Sequence, residues 1–90
     1  MDRYQARNIT NADAGTTVTL TKSDYAVLHT IVINKADAHT LTIQDGNANV
    51  KGTLKASVAE GSYIYDIDMQ GGIQIVVAAS YAGDATVSFK

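Results

Sequence analysis

The sequence predicts an all-β fold, and three observations lead to that prediction. Short runs rich in valine, isoleucine, threonine and tyrosine alternate apolar with polar residues, which is the period of a half-buried strand. Glycine, asparagine and aspartate separate these runs, and helical periodicity is nearly absent. At 90 residues the chain has the length of one domain. We therefore expect a single small β-sandwich of jelly-roll-like topology over residues 1–90, with about eight strands.

The predicted strands follow one another through short polar connections. The first strand is the weakest, and we expect it to form part of an N-terminal arm of about residues 1–15. The turn at Asp45–Gly46–Asn47 fits a tight hairpin, because glycine and asparagine tolerate positive φ. The eight strands are predicted at Tyr4–Ile9, Thr16–Leu20, Ala26–Asn34, His39–Gln44, Val50–Val58, Ser62–Met69, Gly72–Ser80 and Ala85–Lys90.

The third predicted strand is apolar on both faces. Alternation places Val27, Ile31 and Ile33 on one face together with His29, and Leu28 and Val32 on the other. The exposed face of an antiparallel sheet is normally polar, so the second apolar face predicts contact with another subunit. We assign Leu28, His29 and Val32 to this interface. The alternative is a central strand that is covered on both sides within one chain.

Composition excludes several classes of site and partner. There is no cysteine, and two histidines are too few for a structural zinc site, so we expect no disulfide, metal or cofactor. A net charge of −2 argues against a nucleic acid partner, which requires a basic patch. No apolar run is long enough to span a membrane, and no secretory signal is evident. A core this thin is commonly supplemented by oligomerisation, which is the device that we expect here.

A few residues are candidates for chemistry, and each has a plainer interpretation. Asp66 and Asp68 share a strand face and would suit calcium binding or acid–base work, or would simply be solvated or ion-paired. Tyr63 and Tyr65 have the spacing of a sugar-binding platform, or would pack into the core. His29 would be a metal ligand on a symmetry axis, or a satisfied interface residue. No nucleophile elbow or phosphate-binding loop is present, so we expect no catalytic residue and no enzyme.

Five segments carry a resemblance to a known family: Leu28–Asn34, Leu41–Gly46, Tyr65–Ile67, Gly72–Val77 and Ala85–Phe89. They resemble small β-sandwich structural proteins of tailed-bacteriophage virions, some of which are trimeric capsid decoration, or cement, proteins. The similarity extends over most of the chain from Ala26 to Lys90, and it consists of strand and turn patterns.

The resemblance implies a structural protein on the outside of a phage capsid, made in the host cytoplasm. Its partners would be the major capsid protein and copies of itself, in a symmetric oligomer that we expect to be a trimer. We place the capsid contact on the N-terminal arm, at Arg3, Tyr4 and Arg7, which offer donors and an aromatic anchor. The alternatives are a carbohydrate-binding or adhesion module of a head or tail fibre, and a ring-forming tail or connector protein.

Overall fold

The computed structural model describes residues 4–90, so the predicted capsid contact of Arg3 lies outside the described residues. The described residues form eight strands, which are joined by short connections. The connection between the first two strands contains one turn of 3-10 helix, Asn11–Asp13. Within this span no helix has the length and apolar character needed to cross a membrane. The strands are β1 Gln5–Ile9, β2 Thr17–Thr21, β3 Ala26–Lys35, β4 Leu41–Asp45, β5 Val50–Leu54, β6 Gly61–Met69, β7 Ile73–Val77 and β8 Asp84–Phe89.

The strands form two four-stranded sheets. Sheet I has the order β1-β8-β3-β6 and sheet II the order β2-β7-β4-β5, and every neighbouring pair is antiparallel. Consecutive strands therefore cross repeatedly between the sheets, as in a jelly roll. The predicted fold class and the number of strands are confirmed.

Alternation along each strand builds the core between the two sheets. Strands β4, β7 and β8 bury every second residue, and their apolar side chains pack together with those of β3. Each fully buried Leu, Ile or Val contributes about 1.5–3 kcal/mol relative to exposure. The largest fully buried side chains are Ile9, Leu28, Ile31, Ile43, Met69, Ile73, Ile75, Val77, Val87 and Asp45.

The N-terminal segment is an edge strand of sheet I, and this corrects the expectation of an arm. Residues 5–9 pair with β8 in a continuous antiparallel register from Gln5 opposite Phe89 to Ile9 opposite Ala85. Ile9 is fully buried in the core. The polar composition of β1 reflects its place at the edge of the sheet, where only its last residue, Ile9, is buried in the core.

Strand β3 departs from simple alternation, and this corrects the assignment of Leu28 to an interface. The register of β3 slips between Leu28 and Thr30 against both neighbouring strands. A β-bulge of this kind inserts one extra residue, so the side chains on either side of it share a face. Leu28 is consequently fully buried in the core with Ile31 and Ile33. The other two residues of the predicted interface, His29 and Val32, are half-buried and lie outside the core.

Candidate interaction surface

The outer face of sheet I carries a patch without charge. The strand registers align Ala6, Ser88, Thr30 and Ile64 in one row across all four strands. A second row runs through Thr86, Val32 and Ser62. We call these seven residues the uncharged patch: Ala6, Thr30, Val32, Ser62, Ile64, Thr86 and Ser88.

The side chains of the uncharged patch are small, except at one position. The side chains of Thr30, Val32, Thr86 and Ser88 are half-buried among their neighbours. Ile64 is 73% exposed, although it lies in the middle of a nine-residue strand. Ile64 is the one exposed large apolar side chain of the uncharged patch, and covering it would remove apolar area from water.

Charged and aromatic residues border the patch at one end of the sheet. The ring of Tyr4 stacks on that of His29, with centroids 4.1 Å apart. Lys90, which directly follows β8, places its Nζ 4.8 Å from the centroid of the Tyr4 ring. His29 Nδ1 is hydrogen-bonded to a carboxylate oxygen of Asp66. A carboxylate only accepts hydrogen bonds, so the proton of this bond belongs to Nδ1. We call these four residues the Tyr4 corner.

The Tyr4 corner depends on the bulge in sheet I. The slip in register brings His29 of β3 to the level of Asp66 in β6, and Asp66 adopts a positive φ of 49°. Aspartate tolerates this left-handed conformation better than most residues. Asp66 is therefore a structural partner of His29, and in the part of the chain from Tyr4 onward no cluster of three His, Asp or Glu is arranged for a metal ion.

A hydrogen-bonded network borders the patch at the opposite end. Asp84 accepts hydrogen bonds from Asn8 Nδ2 at 2.6 Å and from Asn34 Nδ2 at 3.1 Å. Asn34 Nδ2 also donates to Thr86 Oγ1 at 3.0 Å. The two amide donors lower the pKa of Asp84 below its ordinary value, since they stabilise the ionised carboxylate. A patch without charge is thus bordered by polar groups at both ends, as in the core and rim of an interface.

The two described residues of the predicted capsid contact, Arg7 and Tyr4, have different surroundings. Arg7 donates from its guanidinium to Asp13 at 2.9 Å, and the same carboxylate accepts the backbone N–H of Thr10 at the start of the 3-10 turn. The Arg7 side chain is thereby held against its own chain. Tyr4 is half exposed within the Tyr4 corner and remains open to a partner.

The tyrosine pair Tyr63 and Tyr65 faces inward. Both side chains are half-buried against the core, and the Tyr63 hydroxyl donates to the carbonyl oxygen of Ala59 at 2.5 Å. Tyr65 lies against Gly52 of β5, and burial raises its pKa. The solvent-facing row that a sugar-binding platform needs is therefore not formed by these two residues.

A second histidine–aspartate pair, His39 and Asp37, lies in the connection between β3 and β4. Asp37 accepts hydrogen bonds from His39 Nδ1 at 2.7 Å and from the His39 backbone N–H at 3.1 Å. The bond from the His39 side chain is the main reason why the pKa of Asp37 lies below its ordinary value. His39 is half-buried. The space between this pair and buried Tyr81 is about 10 Å³, room for roughly one water molecule. It offers no place for an organic substrate.

Three exposed large hydrophobic residues were not singled out from the sequence: Tyr25, Val50 and Ile64. Ile64 occupies the polar side of its strand between Ser62 and Asp66, and this break in the polar pattern was the available signal. Tyr25 is 92% exposed in the loop before β3. Nothing in the local sequence distinguishes Tyr25 from the tyrosines that pack against the core.

Comparison with known proteins gives a likeness in fold. No family model matches the chain, and no curated protein matches it. A solved structure of a protein from Bacillus endospore appendages, which form a family of disulfide-linked pili, aligns with a TM-score of 0.65 and 11% sequence identity. The alignment covers 97% of this chain and 80% of the appendage protein. At this identity the similarity establishes the β-sandwich fold alone.

Proposed function

We propose that this protein is a structural subunit without catalytic activity, and that it works by assembling with copies of itself on a larger particle. The observation that carries the proposal is the uncharged patch, in which Val32 and the exposed Ile64 lie on the outer face of sheet I. A chain of this size has a thin core and gains stability when such a face is covered.

The particle that we propose is the capsid of a tailed bacteriophage, with the major capsid protein as the second partner. The support is the strand and turn pattern from Ala26 to Lys90, which resembles virion decoration proteins. In this role the protein would bind the assembled shell as a trimer and stabilise it by mass action. Tyr4, at one end of sheet I, is the residue of the predicted capsid contact that is left open to a partner.

A second candidate is a subunit of a fibre or appendage. The observation that favours it is the likeness in fold to a protein whose family forms pili. That family is disulfide-linked, whereas this chain has no cysteine, so assembly here would rest on non-covalent contacts. The two candidates predict different assemblies: decoration requires a closed oligomer of fixed size, whereas a fibre requires an open-ended polymer.

Replacing Val32 by aspartate tests whether the uncharged patch is covered. The substitution places a carboxylate in the middle of the patch, and desolvating an unpaired charge in an interface costs several kcal/mol. We expect the Val32→Asp protein to remain folded and to lose its assembly, with an apparent affinity between copies at least about 100-fold weaker. Light scattering and circular dichroism of the same samples provide the two readouts.

The chain offers a matched control for this substitution. Val76 is likewise a half-buried valine on an outward face, but it belongs to sheet II, between Thr17 and Thr42. Val76→Asp should leave the assembly intact at a similar cost to folding. If both variants assemble like the wild type, the uncharged patch is not a contact; if both dissociate, the loss is not specific to sheet I.

A further inference from the structure

We infer that a cleft at one end of sheet I binds the guanidinium group of an arginine side chain presented by a partner protein. The cleft lies where β3 begins and β6 ends, outside the uncharged patch, so the inference is independent of the proposed self-assembly. Its volume is about 270 Å³. We call it the Tyr25 cleft, and its lining residues are Asp24, Tyr25, Ala26, Asp68, Met69 and Gln70.

The register of sheet I forms the floor of the Tyr25 cleft. Ala26, the first residue of β3, lies opposite Met69, the last residue of β6. Both side chains are buried, and they give the cleft an apolar base. Beyond this pair the chain leaves the sheet on both strands, so Tyr25 and Gln70 lie at the open end of the cleft. Two paired strands therefore hold the base of the cleft in place.

Tyr25 supplies an aromatic wall. Its side chain is 92% exposed, and among residues 4–90 no other large hydrophobic side chain is as exposed. The loop that carries it is fastened by two hydrogen bonds. The Ser23 N–H donates to Thr21 Oγ1 at 3.3 Å, and the Tyr25 N–H donates to Ser23 Oγ at 3.2 Å. The ring is thus available to a partner, and the face of an aromatic ring attracts a cation placed over it.

The charge of the lining selects a cation as the occupant. Asp24, before β3, and Asp68, in β6, are exposed carboxylates, and no lysine, arginine or histidine lines the cleft. The ion pairs formed among residues 4–90 engage other carboxylates. Two like charges beside one cleft repel each other, and a cation between them replaces the repulsion by attraction. A neutral sugar would leave both charges uncompensated.

Shape and size favour an arginine side chain over a free small molecule. The guanidinium group is planar, stacks on aromatic rings and donates hydrogen bonds in a fork, whereas the lysine ammonium is a compact point charge. One guanidinium can therefore lie against Tyr25 and donate to the flanking carboxylates. The volume of about 270 Å³ lies below the roughly 300–1,000 Å³ of pockets that enclose a free drug-sized ligand. It suits a single side chain whose own protein remains outside the cleft.

An NMR titration of the isotope-labelled wild-type protein with Nα-acetyl-argininamide tests the Tyr25 cleft. We expect the backbone amide resonances of Tyr25 and Gln70 to shift, with a Kd of about 1–10 mM at low salt. The affinity is low because cation–π contacts and exposed ion pairs are individually weak. The matched probe is Nα-acetyl-citrullinamide, in which a neutral urea of the same shape replaces the guanidinium. We expect it to bind at least about 10-fold more weakly.

Variants of the lining locate the binding. Tyr25→Ala and the double variant Asp24→Asn/Asp68→Asn should each weaken binding at least about fivefold. All three side chains are exposed, so we expect both proteins to fold, which the same spectra verify. Tyr25→Phe keeps the ring and should bind within about twofold of the wild type. Asp66→Asn controls for net charge, since it removes a carboxylate from the same strand outside the cleft, and should also stay within about twofold.

The remaining outcomes would each overturn the proposal. Equal binding of the citrulline compound would show that charge is not recognised. Tighter binding of glucose would assign the cleft to a sugar, and tighter binding of choline would assign it to a free organic cation. Binding that survives Tyr25→Ala, or that Asp66→Asn weakens as much as the double variant does, would place the site elsewhere. Absence of any shift with all four probes would show that the cleft is not a binding site.

Discussion

Replacing Leu28 by alanine is expected to destabilise the fold by about 2–5 kcal/mol, the range for removing a fully buried leucine side chain. Leu28 is completely buried and lies in the same core layer as Ile31. A domain of this length has a total stability of roughly 5–13 kcal/mol, so the loss is a large fraction of it. Urea denaturation followed by circular dichroism, at one fixed protein concentration, gives the change in the free energy of unfolding.

The adjacent Val27 provides the control that isolates the effect of the bulge. Alternation from Ile31 without a slip places Val27 in the core and Leu28 outside, and the register slip reverses the two. Val27 is half-buried opposite Asp68, so Val27→Ala should cost about 1 kcal/mol or less. A larger cost for Val27→Ala than for Leu28→Ala would contradict the bulge at His29.

Replacing Gly46 by alanine is expected to cost at least about 3 kcal/mol, at the upper end of overpacking penalties. A Cβ at this position would lie 1.9 Å from the carbonyl oxygen of Gly71 and 2.8 Å from the nitrogen of Gly72. Both neighbours are backbone atoms, so no change of rotamer relieves the clash. The two turns are also joined by the hydrogen bond that the Gly46 N–H donates to the carbonyl oxygen of Gln70, at 3.0 Å. Thermal denaturation of the variant provides the measurement.

Gly52 is the matched control for Gly46. A Cβ on Gly52 would make one tight contact, with the ring of Tyr65 at 3.2 Å, and an ordinary contact with Ile43 Cδ1 at 3.8 Å. A half-buried ring at a sheet edge can shift by a few tenths of an ångström. Gly52→Ala should therefore cost about 1 kcal/mol or less. Equal melting temperatures for the Gly46 and Gly52 variants would contradict the close approach of the two turns.

The same turn shows what the local sequence can and cannot predict. Asp45–Gly46–Asn47 was correctly predicted as a turn, but the residue with positive φ is Ala48, at 64°. Asp45 accepts the backbone N–H groups of Asn47 and Asn49, and these bonds lower the pKa of its buried carboxyl group. Glycine is required at position 46 because the turn at Gly71 and Gly72 packs directly against it. That turn lies 25 residues further along the chain, so periodicity and turn statistics near Gly46 do not reveal the requirement.

The bulge in β3 limited the prediction of the interaction surface for a similar reason. Alternation predicted the strands well, because it depends only on which residues face the core. A bulge depends on the register of partner strands, and here it is accompanied by the contact of His29 with Asp66 in β6. The sequence therefore placed Val32 on the outer face correctly and Leu28 incorrectly.

Strand ends were predicted less well where loops pack closely against the sandwich. The predicted fifth strand extended to Val58, whereas β5 ends at Leu54, and the left-handed φ of Ser57 belongs to the following turn. Likewise β7 ends at Val77, and Ser80 adopts a φ of 67° in the connection to β8. The alternation of apolar residues continues past both ends, since these loops also bury apolar side chains such as Val58 and Tyr81.

The solution mass of the wild-type protein tests the central claim, assembly of the chain with itself, most directly. Sedimentation velocity over a series of concentrations at neutral pH is the measurement. The account predicts a discrete species at three times the chain mass of 9.5 kDa, without larger polymers at higher concentration. A monomer at every concentration would contradict it, because the uncharged patch would then remain exposed in the functional form of the protein.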